Sequence, residues 1–300
     1  MPRRLSLLLF VALILALLTA RGVETPVPSA RNAFGRGPSI VLLHGLGSRA
    51  THWLPTARAL ARHHRVTLVD LPGHGGASMP EPFSLHQAAT ALDLALVEDS
   101  AEPVVVVGHS LGGLVAAAAA VAHPERIRGL VLVETSLRPQ VAPADRAALL
   151  RELETNYASL VHAAYLDFGR DSVQGERLYA EVASLDPEIV KRWIRLAWTA
   201  DLSPSIARLD RPLLVVLAPR SWPHDEPWEV TAKALGYDRA PQVQARRLDG
   251  CGHFVMLDRP EELAAIIARF AANPNGELVA GRQDFEDRRG WLAAPRPSHQ

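Results

Sequence analysis

Pro103-Val104-Val105-Val106-Val107-Gly108-His109-Ser110-Leu111-Gly112-Gly113 is an unbroken apolar, β-branched run that ends in a Gly-x-Ser-x-Gly turn. Small residues at 114–122 then continue as a helix. A strand without polar alternation is buried on both faces, as in a parallel sheet covered by helices. A serine on the bend from such a strand into a helix exposes its hydroxyl above the sheet end, beside unpaired backbone N–H groups. Gly108 and Gly112 flank Ser110 where a Cβ would collide with a neighbouring strand or helix. The five-residue pattern alone is common, and its strand-turn-helix context makes Ser110 a candidate nucleophile.

Working outward, residues 39–43, 66–69, 130–133, 213–217 and about 243–248 also read as strands. Residues 53–63, 84–98, 229–235 and 260–271 read as helices between them, with Ser84 as an N-cap. Short apolar strands alternating with helices require an α/β fold with a mostly parallel, doubly wound sheet. The alternation breaks between 137 and 210, where 144–158, 179–184 and 187–197 carry helical patterns with scattered aromatics. That block is a helical cap insertion (137–210) into a core made of 39–136 and 211–272. It is expected over the strand ends, where open α/β sheets bind ligands.

The 300 residues suffice for one such domain, and the formal net charge is zero. With no basic block or aromatic-basic stripe, nucleic acid is not an expected partner. Cys251 is the only cysteine, so an intrachain disulfide and a cysteine-based zinc site are both excluded. Arg3 and Arg4 precede an apolar stretch at 5–18, closed by Thr19-Ala20-Arg21-Gly22. Residues 1–22 therefore read as a signal peptide or a membrane anchor, which places the catalytic part outside the cytoplasmic membrane, either released or tethered through residues 5–20. Residues 23–38 read as a linker and 273–300 as a disordered polar tail.

Four landmarks fall in order on strand ends: His44-Gly45-Leu46-Gly47-Ser48, Asp70-Leu71-Pro72-Gly73-His74-Gly75, the serine turn, and Gly252-His253-Phe254. Through them the chain resembles the α/β-hydrolase fold family over residues 39–272. The resemblance implies that His253 is the general base for Ser110, and that the oxyanion hole is made by the Leu46 and Leu111 N–H groups. It assigns blander places to His44, as support near the oxyanion site, to His74, as a loop residue, and to His109, as the variable position of the turn. It also implies two strands before the His-Gly strand, for which residues 21–38 leave little room. A truncated, uncovered sheet edge would be a hint of association with another chain.

The acid of the triad departs from the family pattern. Where the family places Asp, a few residues after the strand ending at 217, this chain has Ala218-Pro219-Arg220-Ser221. Asp225, in the same loop, stands first as the substitute, because its separation from His253 resembles the usual arrangement. Glu134, at the end of the preceding strand, stands second, where haloalkane dehalogenases place their acid. Cys251 reads as a small residue packing beside the histidine loop. Trp193, Trp198, Tyr157, Tyr165 and Phe168 read as the core of the insertion, with the lining of an acyl pocket as the other reading.

The implied activity is hydrolysis of a carboxylic ester or thioester of a small to medium apolar acyl group through an acyl-enzyme, with a small-molecule substrate and no metal or organic cofactor. A carbon–carbon bond hydrolase would run on the same triad. A non-catalytic small-molecule-binding protein on this fold is the reading from a different class.

Overall fold

The computed structural model describes residues 31–276. The expectations for residues 1–22, and for the tail beyond 276, lie outside that range.

Seven strands form one sheet: β1 (Arg31–Phe34), β2 (Ser39–Leu43), β3 (Arg65–Val69), β4 (Val104–His109), β5 (Ile127–Val133), β6 (Leu213–Leu217) and β7 (Val243–Arg247). Their spatial order is β1-β3-β2-β4-β5-β6-β7, and every pair is parallel except β1 with β3. At residues 31–34, β1 corrects the reading of 23–38 as linker. Its Pro- and Gly-flanked, Arg-bearing sequence carries no apolar run, and it is a strand because it pairs antiparallel with β3, Phe34 opposite Val66 and Arg31 opposite Val69. One strand therefore precedes the His-Gly strand among the described residues.

The helices are α1 (Leu54–Leu60), α2 (Leu85–Asp99), α3 (Leu111–Ala122), α4 (Arg146–Thr155), α5 (Tyr157–Phe168), α6 (Ser172–Val182), α7 (Pro187–Ala197), α8 (Trp228–Leu235), the short α9 (Val255–Asp258) and α10 (Pro260–Ala272). Alternate strand residues divide between two hydrophobic layers. Val104, Val106, Leu213 and Val215 share one with Leu92, Leu96, Ala116 and Ala120 of α2 and α3. Val105, Val107, Leu214 and Val216 share the other with Ala57 and Leu60 of α1 and Leu263, Ile267 and Phe270 of α10. Both faces of the sheet are thus dry, which is the physical reason the strands read as continuous apolar runs. Each fully buried Val or Leu contributes about 1.5–3 kcal/mol.

Helices α4 to α7 lie between β5 and β6 in the chain. Each of α6 and α7 starts at an aspartate whose side chain accepts a first-turn N–H, Asp171 from Gln174 and Asp186 from Glu188. The insertion is fastened to the core through buried groups. Trp193 is fully buried and donates its indole N–H to the Pro72 carbonyl at 3.0 Å. Val190 of α7 and Val182 of α6 are also fully buried.

Candidate active site

The turn between β4 and α3 is strained where the sequence pattern requires it. Ser110 has φ 52° and ψ −121°, a region that L-residues rarely occupy and that costs about 1–3 kcal/mol. The tight approach of α3 to the sheet depends on the flanking glycines. A Cβ on Gly108 would lie 2.5 Å from the Gly112 carbonyl oxygen, and one on Gly112 would lie 2.2 Å from the His44 carbonyl oxygen. As the first residue of α3, Leu111 presents its N–H where no intrahelical acceptor exists.

Opposite this turn runs the loop after β2. A Cβ on Gly45 would be 2.9 Å from Ser110 Cβ, so the loop passes directly against the serine. The Leu46–Gly47 peptide, next to the proposed Leu46 donor, is held from both sides: Tyr165 Oη donates to the Leu46 carbonyl at 2.7 Å, and Gly47 N–H donates to His74 Nε2 at 3.1 Å. His74 is therefore no ordinary loop residue. It is buried, its Nδ1 faces the Pro72 carbonyl at 3.1 Å, and desolvation, reinforced by His44, lowers its pKa to about 3. His44 supports the same loop, accepting Leu71 N–H on Nε2 at 3.1 Å and meeting the Gly45 carbonyl at 2.7 Å through Nδ1.

His253 lies in the loop between β7 and α9, and four contacts fix that loop. His253 N–H donates to the Phe168 carbonyl at 2.9 Å, and the His253 carbonyl meets His109 Nε2 at 2.9 Å. Gly252 N–H donates to Asp258 Oδ2 at 2.9 Å, and Cys251 Sγ donates to the Leu248 carbonyl at 2.9 Å. His109 is fully buried, and desolvation, with His253 adding to it, pushes its pKa well below the usual histidine value. Burial raises the Cys251 thiol to about 12, which keeps it protonated beside the histidine loop.

The structure decides which carboxylate meets the imidazole. His253 Nδ1 is 3.0 Å from Glu134 Oε2. Asp225, the first-ranked candidate, is exposed in the loop after β6 and makes no hydrogen bond to His253. Chain spacing favoured Asp225, but the sheet order sets β5 between β4 and β6, so the end of β5 faces the serine turn and the β6 loop together. Glu134 follows β5 with φ 49°, a second strained non-glycine residue, and its side chain is fully buried. Burying a carboxylate is tolerable only with partners. Ala218 N–H donates to Oε1 at 2.7 Å, and Ser221 Oγ donates to Oε2 at 2.9 Å. Ser221 stands in the loop where the acid is ordinarily found, and it serves the displaced carboxylate by a hydrogen bond.

Of the insertion aromatics, Trp193 and Tyr165 are buried core and Phe168 lies against His253. A cleft of about 700 Å³ opens along the seam of cap and core, lined by Phe83, Leu85, Arg192, Arg195, Leu196 and Leu202 among others, with neither Ser110 nor His253 in its wall.

The serine turn, the buried carboxylate and the histidine loop follow β4, β5 and β7 at one end of a mostly parallel sheet, and residues 40–266 match the alpha/beta hydrolase family. The chain belongs to the alpha/beta-hydrolase family. Within that family it is esterase-like. Two relatives are pimeloyl-(acyl-carrier protein) methyl ester esterases. That of Nitrosospira multiformis is 27% identical over 257 residues, covering 80% of this chain and 96% of its own. That of Xanthomonas campestris pv. campestris is 30% identical over 260 residues, covering 80% and 98%. A hydrolase from Oleispira antarctica superposes with a TM-score of 0.72 at 19% identity, over 83% of this chain and 97% of that one, which shows the shared fold.

Proposed function

We propose that this hydrolase cleaves a carboxylic ester of a small to medium apolar acyl group, with Ser110 as nucleophile, His253 as general base and Glu134 as the orienting acid. The observation that carries the reading is the His253 Nδ1 to Glu134 Oε2 contact at 3.0 Å, made by a fully buried carboxylate beside a strained serine turn. With Nδ1 turned to Glu134, the Nε2 lone pair is the base that accepts the Ser110 proton as Oγ attacks the ester carbonyl. The Leu46 and Leu111 N–H groups then stabilise the tetrahedral oxyanion. His253 returns the proton to the departing alcohol. Water, deprotonated by the same imidazole, releases the acid and regenerates Ser110. The relatives' names, which specify a methyl ester of a carrier-bound pimeloyl group, support an ester with a small alcohol part.

Three substitutions test the assignment on short-chain p-nitrophenyl esters. Ser110→Ala should abolish turnover and fluorophosphonate labelling, and Glu134→Gln should lower kcat by about 10³–10⁴. Asp225→Asn should leave kcat within about twofold, as for an exposed side chain away from the chemistry. A parent-like Glu134→Gln variant would overturn the assignment. A parent protein that neither turns over esters nor takes the label would overturn the enzyme reading in favour of a binding protein.

The apolar run after Arg3 and Arg4 supports export or tethering of the same enzyme. Because Arg31 opens β1 beside Val69, at the carboxyl end of the sheet, a tether entering there would hold the catalytic face towards the membrane. Recovery of the full chain in the soluble fraction, with residues 1–22 intact, after alkaline carbonate washing would refute the tether.

A further inference from the structure

Besides Ser221 and His109, the side chains of Phe168 from the cap and Arg220 from the loop after β6 touch the constellation of nucleophile, base and acid. Phe168, the last residue of α5, stacks its ring on the His253 ring with centroids 4.6 Å apart and planes at 27°. Its own carbonyl accepts the His253 N–H. Arg220 sets its guanidinium over the Phe168 ring, 5.3 Å from the centroid, with Nη1 3.9 Å from Glu134 Oε2. A hydrogen bond from Arg220 Nη2 to Asp167, the residue before Phe168, ties the guanidinium to the cap. Glu134, His253, Phe168 and Arg220 thus close a ring of four side chains in which each touches the next.

The ring matters because one hydrogen bond does not fix an imidazole. Contact at Nδ1 alone leaves the plane of His253 free to swing about that bond, and a misplacement of about 1 Å in a reacting group costs about 10²-fold in rate. A stacked aromatic of the same orientation removes that freedom. The main chain of the cap is pressed equally close: a Cβ on Gly252 would lie 2.8 Å from the Phe168 carbonyl oxygen and 2.7 Å from the Arg170 nitrogen. Asp258, whose Oδ2 accepts Gly252 N–H, is itself held from the cap by Gln174 at 2.7 Å and Arg170 at 3.2 Å.

We infer that Phe168 is a positioning residue for the general base: it fixes the plane of His253 so that Nδ1 faces Glu134 while Nε2 faces Ser110, and Arg220 with Asp167 holds Phe168 in place. The inference rests on the proposed triad and adds a cap residue to it. Alignment of the base then depends on α5 being seated, so the cap takes part in catalysis as well as in covering the site. Phe168 itself exchanges no proton.

The test compares Phe168→Leu, which keeps apolar bulk and removes the ring, with Phe168→Tyr, which keeps the ring. Three quantities are read: the rate of Ser110 labelling by a short-alkyl fluorophosphonate, kcat and KM on p-nitrophenyl acetate and butyrate, and the downfield proton resonance of the His253 Nδ1–H bond. Phe168→Leu should lower labelling and kcat by about tenfold or more, leave KM within about threefold and broaden or abolish the resonance. Phe168→Tyr should restore labelling and kcat to within about threefold of the parent. A Leu variant with parent labelling and kcat overturns the inference. So does one that changes KM and acyl-chain preference at constant kcat, which would make Phe168 a wall of the acyl pocket. If the Leu variant does not fold, Arg220→Gln, a change at an exposed position, should slow labelling by about threefold or more, and a parent-like rate overturns the inference. Ser110→Ala and Glu134→Gln run alongside: activity in those removes the triad itself, whereas their failure beside a normal Leu variant removes only the role of Phe168.

Discussion

Tyr165→Phe isolates one hydrogen bond between the cap and the oxyanion loop. The substitution removes only the Oη that donates to the Leu46 carbonyl at 2.7 Å, and the ring stays, since Tyr165 is 3% exposed and packed against Phe168 and Phe254. Two effects follow. Leaving the carbonyl without its donor costs about 1–2 kcal/mol of stability, equivalent to a fall of about 2–8 °C in Tm for a domain of this size. The Leu46–Gly47 peptide then keeps its hold on His74 and loses the opposite one, which loosens the neighbouring Leu46 N–H. Complete removal of an oxyanion donor costs about 2.7–4 kcal/mol in the transition state, so partial misplacement should cost about 1 kcal/mol, or about fivefold in kcat, with KM little changed. Steady-state kinetics and thermal unfolding on the same preparation separate the two. A variant with lowered Tm and parent kcat would refute the link to the oxyanion loop and reduce Tyr165 to a fastener of the cap. A rise in KM alone would refute it as well.

Further outcomes follow from other contacts. Trp193→Ala removes a fully buried indole and its bond to Pro72, and should cost about 3–5 kcal/mol in denaturant unfolding. Gly113→Ala would place a Cβ 2.0 Å from Thr135 Oγ1, next to Glu134, and should destabilise by about 1–3 kcal/mol with a measurable loss of kcat; a neutral result would show that the segment after β5 yields freely. His74, lowered to about 3 from an unfolded value of 6.5, binds its proton more readily in the unfolded chain. Stability should therefore fall as the pH drops from about 6.5 towards 3, and His74→Gln should flatten that slope by up to about 1.4 kcal/mol per pH unit in urea titrations. An unchanged slope would locate the acid sensitivity elsewhere.

The sheet was legible because burial on both faces leaves a signature that a single strand carries by itself, as 104–107 and 213–217 do. β1 was illegible for the opposite reason: Arg-Asn-Ala-Phe has no such run, and its state is decided by pairing with β3. Ser110, His253, Leu46 and Leu111 each follow a strand end with its own local motif, and the family resemblance carried by those motifs implied that they meet. The acid could not be settled that way. Asp225 and Glu134 both fit loops at the correct edge of the sheet, and what separates them is three-dimensional: the Ala218 N–H and Ser221 Oγ that make a buried carboxylate tolerable converge on Glu134. One signal was present in Arg220-Ser221 itself, since a cation and a hydroxyl where an acid is expected are partners for a carboxylate arriving from elsewhere. Phe168 carried no such signal. It meets His253 across 85 positions of chain, through a helix whose seating is set by packing.

Helix α5 sends Tyr165 to the loop after β2 and Phe168 to the loop after β7 within a single helical turn. The inserted segment therefore does not behave as an interchangeable module. A chimera that transplants the cap of a relative onto this sheet would acquire new substrate contacts and at the same time lose the registration of its donors and base, unless the graft supplied an aromatic ring and a hydroxyl at these two points. In this chain α5 and the two loops it touches, after β2 and after β7, are therefore a single mechanical unit assembled from three separated stretches of sequence.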